Sequence, residues 1–381
     1  MAAAPLRIEP VESRSALKRF LDMPAPLYAD DPHWVRPLLV ERMEHLDPKK
    51  NPALRHMQVA YWMALRGDRP VGRISAQVNA SHLECHRDAT GQFGFIEGED
   101  DAELFASLLG TAEAWLKGRG MRRVTGPFSL SINDESGLLV DGFDRPPSMM
   151  MGHHRPYYAA RLERAGYVKA KDLIAYDFDI AADWPAAARR MMARLARNAE
   201  VRIRPVDMRR YGEELELMRQ IFNDAWADNW GFIPWNPDEV QALGRNIRML
   251  VSADNLAIGE VDGEPAAMVV ALPNINEAIG DLGGRLLPFG LPKLLWRLKV
   301  KGLRSGRMPL LGVRRRYHGT AKGAALALGV IEAMRDRGKA NGFVSAELSW
   351  ILEDNRPIRD MIELVGGKPY KTYRVYEKAL A

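Results

Sequence analysis

The stretch RRYHGTAKGAALALGVIEAMRDRG, residues 315–338, joins small and basic residues to an apolar run with helical spacing. The apolar positions share one helical face: Leu326, Val330, Ile331 and Met334. This spacing predicts a buried helix over residues 324–336. A helix start leaves backbone N–H groups unpaired and carries partial positive charge, and glycine lets an anion approach them. We therefore expect an anion site here; the alternative is a tight connection without a ligand.

A strand predicted at residues 309–313 precedes this helix. The amides that open the helix come from Gly319, Thr320, Ala321, Lys322 and Gly323. Arg314 and Arg316 add positive charge. The corresponding helix start in the first half of the chain carries four acidic residues, Glu97, Glu99, Asp100 and Asp101. Because these carboxylates would repel phosphate, we expect one anion site per chain.

The chain contains two copies of one pattern. RIEPV at 7–11 returns as RIRPV at 202–206, and the segment 61–79 returns at 256–274, each 195 residues later. Three further residues return 200 positions later: Gly166, Lys171 and Tyr176. Each copy predicts a mixed α/β sheet with helices packed on its faces, and hairpin turns at Gly67–Asp68 and Asp262–Gly263.

This duplication predicts the domain organisation. A first domain covers residues 1–180, and a second covers residues 201–381. A linker helix at 181–200, beginning at Pro185, lies between them. The second copy carries an amphipathic insertion at 275–308.

The bulk composition limits the function classes. The chain has 381 residues, a net charge of +5 and a pI near 9.2. The positive net charge favours anionic partners. The single cysteine, Cys85, excludes an internal disulfide framework and suits a reducing compartment. The charged N-terminus and the absence of a long apolar stretch predict a soluble, cytoplasmic protein. Nucleic-acid binding ranks last, because the basic residues are not interleaved with stacking aromatic residues.

The pattern Arg316-x-x-Gly319-x-Ala321, followed by a strand and by a helix that Asn355 leads and Gly366 ends, resembles the GNAT acyltransferase superfamily. The resemblance implies a tandem GNAT-like α/β fold whose first copy is degenerate. It also implies that the loop holds the pyrophosphate of an acyl-CoA, which is a co-substrate rather than a bound cofactor. The pantetheine arm would then lie beside Leu311 and Val313.

Two positions depart from the family pattern. Ile362 stands where the family usually has a tyrosine that acts as general acid, and Gly366–Gly367 replaces the usual Gly–Phe. Coenzyme A binding is therefore better supported than any particular proton donor.

Acyl transfer to an amine requires a base for the amine proton. Strand alternation places Ser345, Glu347 and Ser349 on one face, which makes Glu347 the first candidate base. The alternative for Glu347 is a solvent-facing strand carboxylate. Tyr373 and Tyr370 could replace the missing acid; the alternative for both is an ordinary core or rim tyrosine.

A long loop at residues 126–158 of the first copy combines acids, histidines, tyrosines and three methionines. Long loops are commonly functional, which makes Glu135 and His153 further catalytic candidates. The alternative is a loop with a packing role. HLECH at 82–86 offers metal-ligand types, but adjacent Cys and His cannot easily share one ion, so we expect no metal.

The insertion contains seven basic and no acidic residues between 282 and 310. A helix predicted from Pro292 separates leucines from lysines and arginines, which is typical of a helix lying on an anionic membrane. The alternative is a docked amphipathic helix with solvated charges.

Together with SINDESGLLVDGFDRPPSMMM and SWILEDN, the arrangement resembles the tandem-GNAT proteins that include bacterial ceramide synthases. This implies N-acylation of a long-chain sphingoid base from a long-chain acyl-CoA, with peripheral contact at the inner membrane. Two alternatives stay open: a GNAT acetyltransferase of a small soluble amine, and a non-catalytic acyl-CoA or lipid-binding protein.

Overall fold

The computed structural model of the chain describes residues 4–195 and 200–380. Backbone contacts divide it into two compact units. The first unit contains the residues up to Leu173, Ile279–Leu291 and the residues from Lys371 onward; the second contains Ile174–Ala278 and Pro292–Tyr370. The boundaries drawn from the sequence repeat, by contrast, follow chain order. Residues 196–199 of the expected linker helix lie outside the described residues.

Both halves of the chain contain helices and strands. Those of the first half are β1 (Leu6–Pro10), α1 (Arg14–Asp22), α2 (Pro24–Leu27), α3 (Leu39–His45), β2 (Met57–Arg66), β3 (Arg69–Asn79), α4 (Ala80–His86), β4 (Thr90–Gly98), α5 (Ala102–Lys117), β5 (Arg123–Gly126), β6 (Phe128–Ser129), β7 (Glu135–Ser136), β8 (Leu138–Asp141), α6 (Tyr157–Arg164) and β9 (Val168–Asp179). Those of the second half are α7 (Ala186–Leu195), β10 (Val201–Pro205), α8 (Tyr211–Ala225), α9 (Pro237–Ile247), β11 (Leu256–Val261), β12 (Glu264–Pro273), α10 (Ile275–Ile279), α11 (Gly290–Trp296), β13 (Ser305–Val313), α12 (Ala321–Ala340), β14 (Ser345–Leu352), α13 (Arg356–Leu364) and β15 (Lys368–Ala379).

The sheet of the first unit runs in the order β1-β2-β3-β4-β5. Its pairs are antiparallel up to β4, and β4 pairs with β5 in parallel. The C-terminal part of β15 continues this sheet, since it pairs antiparallel with β5, Tyr376 opposite Gly126. Helix α5 covers one face, and Gly91 makes room for it: a Cβ there would lie 2.4 Å from a Leu116 methyl carbon.

The sheet of the second unit repeats this order and pairing. Strands β10, β11, β12 and β13 are antiparallel neighbours, and β13 pairs with β14 in parallel. Residues 174–179 of β9 follow next to β14. Helix α12 packs its apolar face, including Leu326 and Val330, on Ala257, Ala267 and Val269 of this sheet. The matching strand orders confirm the prediction of two copies with mixed α/β sheets.

The two predicted hairpin turns are also confirmed. Gly67–Asp68 connects β2 to β3, and Asp262–Gly263 connects β11 to β12. In the second turn Asp262 has φ +53° and Gly263 has φ +82°, the pair of left-handed conformations that a two-residue hairpin turn requires. Across the described residues, no helix combines the length and apolar character needed to cross a membrane.

Candidate active site

Strands β13 and β14 part in the middle of the second unit's sheet. Their parallel pairing ends at Met308 opposite Leu348, although β13 continues to Val313 and β14 continues to Leu352. Pro309 follows the last pair and has no N–H to donate to a neighbouring strand. The register with β12 also shifts at this point. The proline and the register shift account for an open edge on β13.

Backbone groups of Leu311 and Val313 face this open edge. The amide of Arg314 donates to Ala266 O of β12 at 2.8 Å, so hydrogen-bond alternation turns the polar groups of Val313 and Leu311 away from β12. The Val313 carbonyl lies 2.7 Å from His318 Nε2, which ties the end of the strand to the loop that follows.

That loop has a fixed shape. A 3₁₀ turn at Arg315–Tyr317 leads to Gly319, which has φ +70°. Thr320 caps α12, because its Oγ1 accepts from Gly323 N at 3.0 Å. A Cβ on Gly323 would lie 2.1 Å from Tyr317 O, so glycine is required there. The helix is longer than the predicted span of 324–336, since α12 begins at Ala321, directly after the Thr320 cap, and ends at Ala340.

The basic residues of the loop differ in their partners. Arg314 Nε donates to Pro265 O at 3.0 Å, and Lys322 pairs with Glu200 at 2.5 Å. Arg316 is exposed and lies over the Tyr317 ring. Within the described part of the chain Arg316 forms no salt bridge. Its guanidinium is therefore available to an anion beside the first amides of α12, which have no intrahelical partner.

Helix α13 follows β14, as the sequence predicts. Asn355 is its N-cap residue and is half-buried. Ile362, at the position of the family's tyrosine, is 4% exposed and packs in the core of this unit. A Cβ on Gly367 would lie 2.4 Å from Ile362 Cγ2. Ile362, at the position of the family's tyrosine, therefore contributes to the packing of the core.

Glu347 lies on β14 next to the last paired residues and is 4% exposed. This burial rules out the solvent-facing alternative. Its two oxygens accept hydrogen bonds from the hydroxyls of Ser349 and Tyr370. Arg307 of β13 places Nε 3.6 Å from Glu347 Oε1 and donates to Ser349 Oγ at 2.8 Å. A carboxylate, two hydroxyls and a guanidinium thus form one buried network.

Sequence reasoning missed Arg307, which it counted only among the seven basic residues between 282 and 310. Arg307 is buried because it lies directly opposite Glu347 in the parallel register of β13 and β14. The available signal was a basic residue and an acidic residue at matched positions of two adjacent strands.

The remaining catalytic candidates lie in the first unit. Tyr373 is completely buried, which favours its core alternative. Glu135 Oε1 accepts from Arg42 Nη1 at 2.8 Å. His153 Nε2 lies 2.9 Å from Asp31 Oδ2, and burial lowers the pKa of His153, while the neighbouring carboxylate acts in the opposite direction.

In the first unit, protein groups occupy the positions that correspond to the start of α12 and the open edge of β13 in the second unit. Asp101 caps α5 by accepting from the amides of Glu103 and Leu104, so a carboxylate already occupies that helix start. Beside β4, a Cβ on Gly94 would lie 1.9 Å from Phe128 O, and Gln77 Nε2 donates to the same carbonyl at 2.7 Å. The segment around Phe128 therefore lies against the strand that corresponds to β13.

No group of three or more His, Cys, Asp or Glu side chains suited to a metal ion occurs in residues 4–195 and 200–380. Within HLECH, His82 Nε2 lies 3.2 Å from Asp88, and Cys85 is exposed.

The helix predicted from Pro292 in the insertion begins two residues earlier. Helix α11 starts at Gly290, ends at Trp296 and continues as one π-helical turn at Arg297–Lys301. Among the leucines of this helix, Leu294 is buried and Leu298 is half-buried, whereas Leu291 and Leu295 are exposed. Trp296 is exposed as well.

Comparison with known proteins gives relatives over the whole chain. A bacterial ceramide synthase from Caulobacter vibrioides is 46% identical over 378 residues, covering 99% of this chain and 98% of its own. Protein YghO from Escherichia coli is 45% identical over 369 residues, covering 97% and 94%. No family model matches the chain.

Solved structures share the fold. A tandem GNAT protein from the clavulanic acid biosynthesis pathway aligns over 99% of both chains with a TM-score of 0.58 at 14% identity. A GCN5-related N-acetyltransferase from Sphaerobacter thermophilus covers 99% of this chain and 97% of its own, with a TM-score of 0.54 at 12% identity. The predicted tandem GNAT-like fold is thereby confirmed. By its full-length relatives the chain belongs to the bacterial ceramide synthase family, a group of acyl-CoA-dependent N-acyltransferases.

Proposed function

We propose that this chain transfers a long acyl group from acyl-CoA to the amino group of a long-chain sphingoid base, giving a (dihydro)ceramide. The observation that carries the proposal is the open edge of β13, which connects the loop at 319–323 with the buried carboxylate Glu347. The activity named for the Caulobacter relative supports the choice of acceptor.

In this proposal the loop binds the donor. The amides of Ala321 and Lys322 at the start of α12, together with Gly319, Thr320 and Gly323, contact the pyrophosphate, and Arg316 neutralises its charge. The guanidinium of Arg314 and the side chain of Asn355 border the same region. The pantetheine arm hydrogen-bonds to the open backbone groups of Leu311 and to the N–H of Val313, whose carbonyl is already bound by His318.

Glu347 is the proposed base. The amine nitrogen attacks the thioester carbonyl carbon, a C–N bond forms, and the C–S bond breaks. Backbone N–H groups of the open edge stabilise the carbonyl oxygen as it gains charge. Glu347 takes the proton that the nitrogen releases.

Tyr370 is the proposed proton donor to the departing thiolate. Its hydroxyl already donates to Glu347, so the proton taken by Glu347 can return to Tyr370 after Tyr370 has protonated the sulfur. The net result is one proton moved from nitrogen to sulfur. Tyr373 is the second candidate acid, and Glu135 and His153 remain candidates of lower rank.

We also propose that residues 287–300 contact the cytoplasmic face of an anionic inner membrane. Phe289 is 80% exposed and Val300 is 71% exposed, and Leu287 and Trp296 are exposed as well. The exposed lysines Lys293, Lys299 and Lys301 lie in or next to the same segment. Apolar side chains with adjacent cations suit an anionic lipid surface, where an insoluble acceptor would be found.

A turnover assay tests the proposal. Purified protein is incubated with acetyl-CoA or palmitoyl-CoA, each with sphinganine, 3-ketosphinganine or a panel of small amines, and amide products are measured by mass spectrometry. We expect product only from palmitoyl-CoA with a sphingoid acceptor.

Product only from acetyl-CoA and small amines would replace the proposal with a soluble acetyltransferase. Saturable acyl-CoA binding without any product would replace it with a binding protein. The Glu264→Gln variant, an exposed change at the start of β12, is the control for variants of Glu347.

A further inference from the structure

An apolar pocket lies in the second unit between the sheet and the second half of α12. It contains about 580 Å³ of empty space, including the part open to solvent. Side chains that line it include Phe178, Met308, Met334, Phe343, Ala346 and Leu348. Polar residues also border it, including Asp254, Asn341 and the arginines Arg307 and Arg335. Such a lining suits a hydrocarbon ligand with little polar character.

The pocket adjoins the point where β13 and β14 part. Met308 and Leu348 are the last paired residues of the two strands, and both line the pocket. Side chains alternate between the faces of a strand, so Met308 and Leu348 lie on the face opposite to Arg307, Glu347 and Ser349. Met308 and Leu348 therefore approach the pocket from the face opposite to Glu347, and Arg307, next to Met308 in the chain, also borders the pocket.

We propose that this pocket receives the hydrocarbon chain of the acyl donor. The inference rests on the proposed function, because it assumes that the thioester lies along the open edge of β13. A chain extending past Pro309 meets closed sheet and must turn toward one face. One face presents the buried network of Arg307, Glu347 and Ser349, where methylene groups would disturb charged hydrogen bonds. The other face leads to the apolar pocket.

This arrangement assigns the two substrates to different faces. The amine reaches the thioester from the Glu347 side, and the acyl chain leaves on the α12 side. The methionines Met308 and Met334 can adjust to the chain because methionine has an unbranched, flexible side chain. Each methylene buried in the pocket strengthens binding about fourfold.

The test fills the pocket in steps. Ala346, half-buried on β14, is changed to Leu and to Phe, and Ala187→Phe on the exposed face of α7 is the size-matched control. Values of kcat/KM are measured with octanoyl-, lauroyl- and palmitoyl-CoA and sphinganine. We expect Ala346→Phe to lower the palmitoyl value about tenfold or more while the octanoyl value changes less than about twofold, with Ala346→Leu between them.

Equal losses for all acyl chains, or no loss, would overturn the proposal. A loss that follows the length of the sphingoid base instead would assign the pocket to the acceptor. Calorimetric binding of palmitoyl-CoA and of coenzyme A separates this inference from the proposed function. The pocket predicts that palmitoyl-CoA binds tighter than coenzyme A and that Ala346→Phe removes the difference, even if the wild-type chain forms no ceramide.

Discussion

The Tyr376 hydroxyl donates a hydrogen bond to Glu163 Oε1 at 3.2 Å in the first unit. The second unit contains the counterpart, since Tyr176 donates to Glu363 Oε1 at 3.1 Å. Each pair joins a tyrosine of one sequence copy to a glutamate of the other, at equivalent positions of the repeat. The C-terminal part of β15 is thus an integral part of the first unit.

Removing this hydroxyl should destabilise the protein. Tyr376→Phe deletes a partly buried hydrogen bond to a carboxylate, and we expect the free energy of unfolding to fall by about 1–2 kcal/mol. Urea denaturation checks this at neutral pH. An unchanged midpoint would mean that the pair does not stabilise the first unit.

The same tyrosine predicts a loss of stability at alkaline pH. Burial and the nearby Glu163 raise the pKa of Tyr376 to about 12. Between the ordinary tyrosine pKa of about 10 and this value the unfolded chain loses the proton first, so stability falls as the pH rises. Denaturation at pH values below and inside this window should show a smaller loss for Tyr376→Phe than for the wild type.

Gly323→Ala should weaken coenzyme A binding about tenfold or more, because the added Cβ would collide with Tyr317 O and distort the loop. Calorimetric titration with coenzyme A measures the effect. Gly212→Ala is the control: its Cβ meets only Gln241 Oε1 at 3.7 Å, and binding should not change. If both variants bind coenzyme A equally well, the loop is not part of the coenzyme A site.

Glu347→Gln should lower kcat about 10²-fold or more while leaving the dissociation constant for acyl-CoA within about twofold. Glutamine keeps the size and accepts hydrogen bonds but cannot take a proton. Tyr370→Phe should cause a smaller loss of kcat. A parallel loss of binding and turnover in Glu347→Gln would assign Glu347 to structure rather than to proton transfer.

The chain should bind one acyl-CoA. In the first unit Asp101 occupies the amides at the start of α5, and Phe128 lies against Gly94 on β4. Calorimetry should therefore give a stoichiometry of about one per chain. A second site that survives Gly323→Ala would show that the first unit also binds the donor.

The double variant Phe289→Ser, Trp296→Ser should reduce binding to vesicles about tenfold, because two exposed apolar side chains are lost. Co-sedimentation with phosphatidylcholine vesicles, with and without phosphatidylglycerol, measures the effect. Binding that the variant retains in full, or that does not respond to phosphatidylglycerol, would contradict the proposed membrane contact.

The sequence predicts what local chemistry determines. The turn residues Asp262 and Gly263 indicate their hairpin because few other residues adopt two successive left-handed conformations. Helix ends are less certain: the predicted helix stops at residue 336, shortly before Gly338, but Gly338 remains helical, and Gly342 takes the left-handed position with φ +83°. Both glycines are plausible stops in a sequence, and tertiary packing selects between them.

Contacts between distant residues were harder to predict. Alternation placed Glu347 on the correct face of its strand, but nothing local indicates that Arg307, 40 residues earlier, lies opposite it. Nor does the repeat indicate which copy of the last strand lies beside β5, because both copies have similar sequences. Sequence similarity identifies equivalent strands, whereas strand pairing depends on the whole chain.

The position of β15 has a consequence for synthesis. Residues from Lys371 onward are made after the rest of the second copy, yet β15 completes a sheet whose other strands are made first. The edge of β5 therefore stays unpaired until β15 of the second copy has been translated. The fold of the first unit is therefore completed by a strand of the second copy.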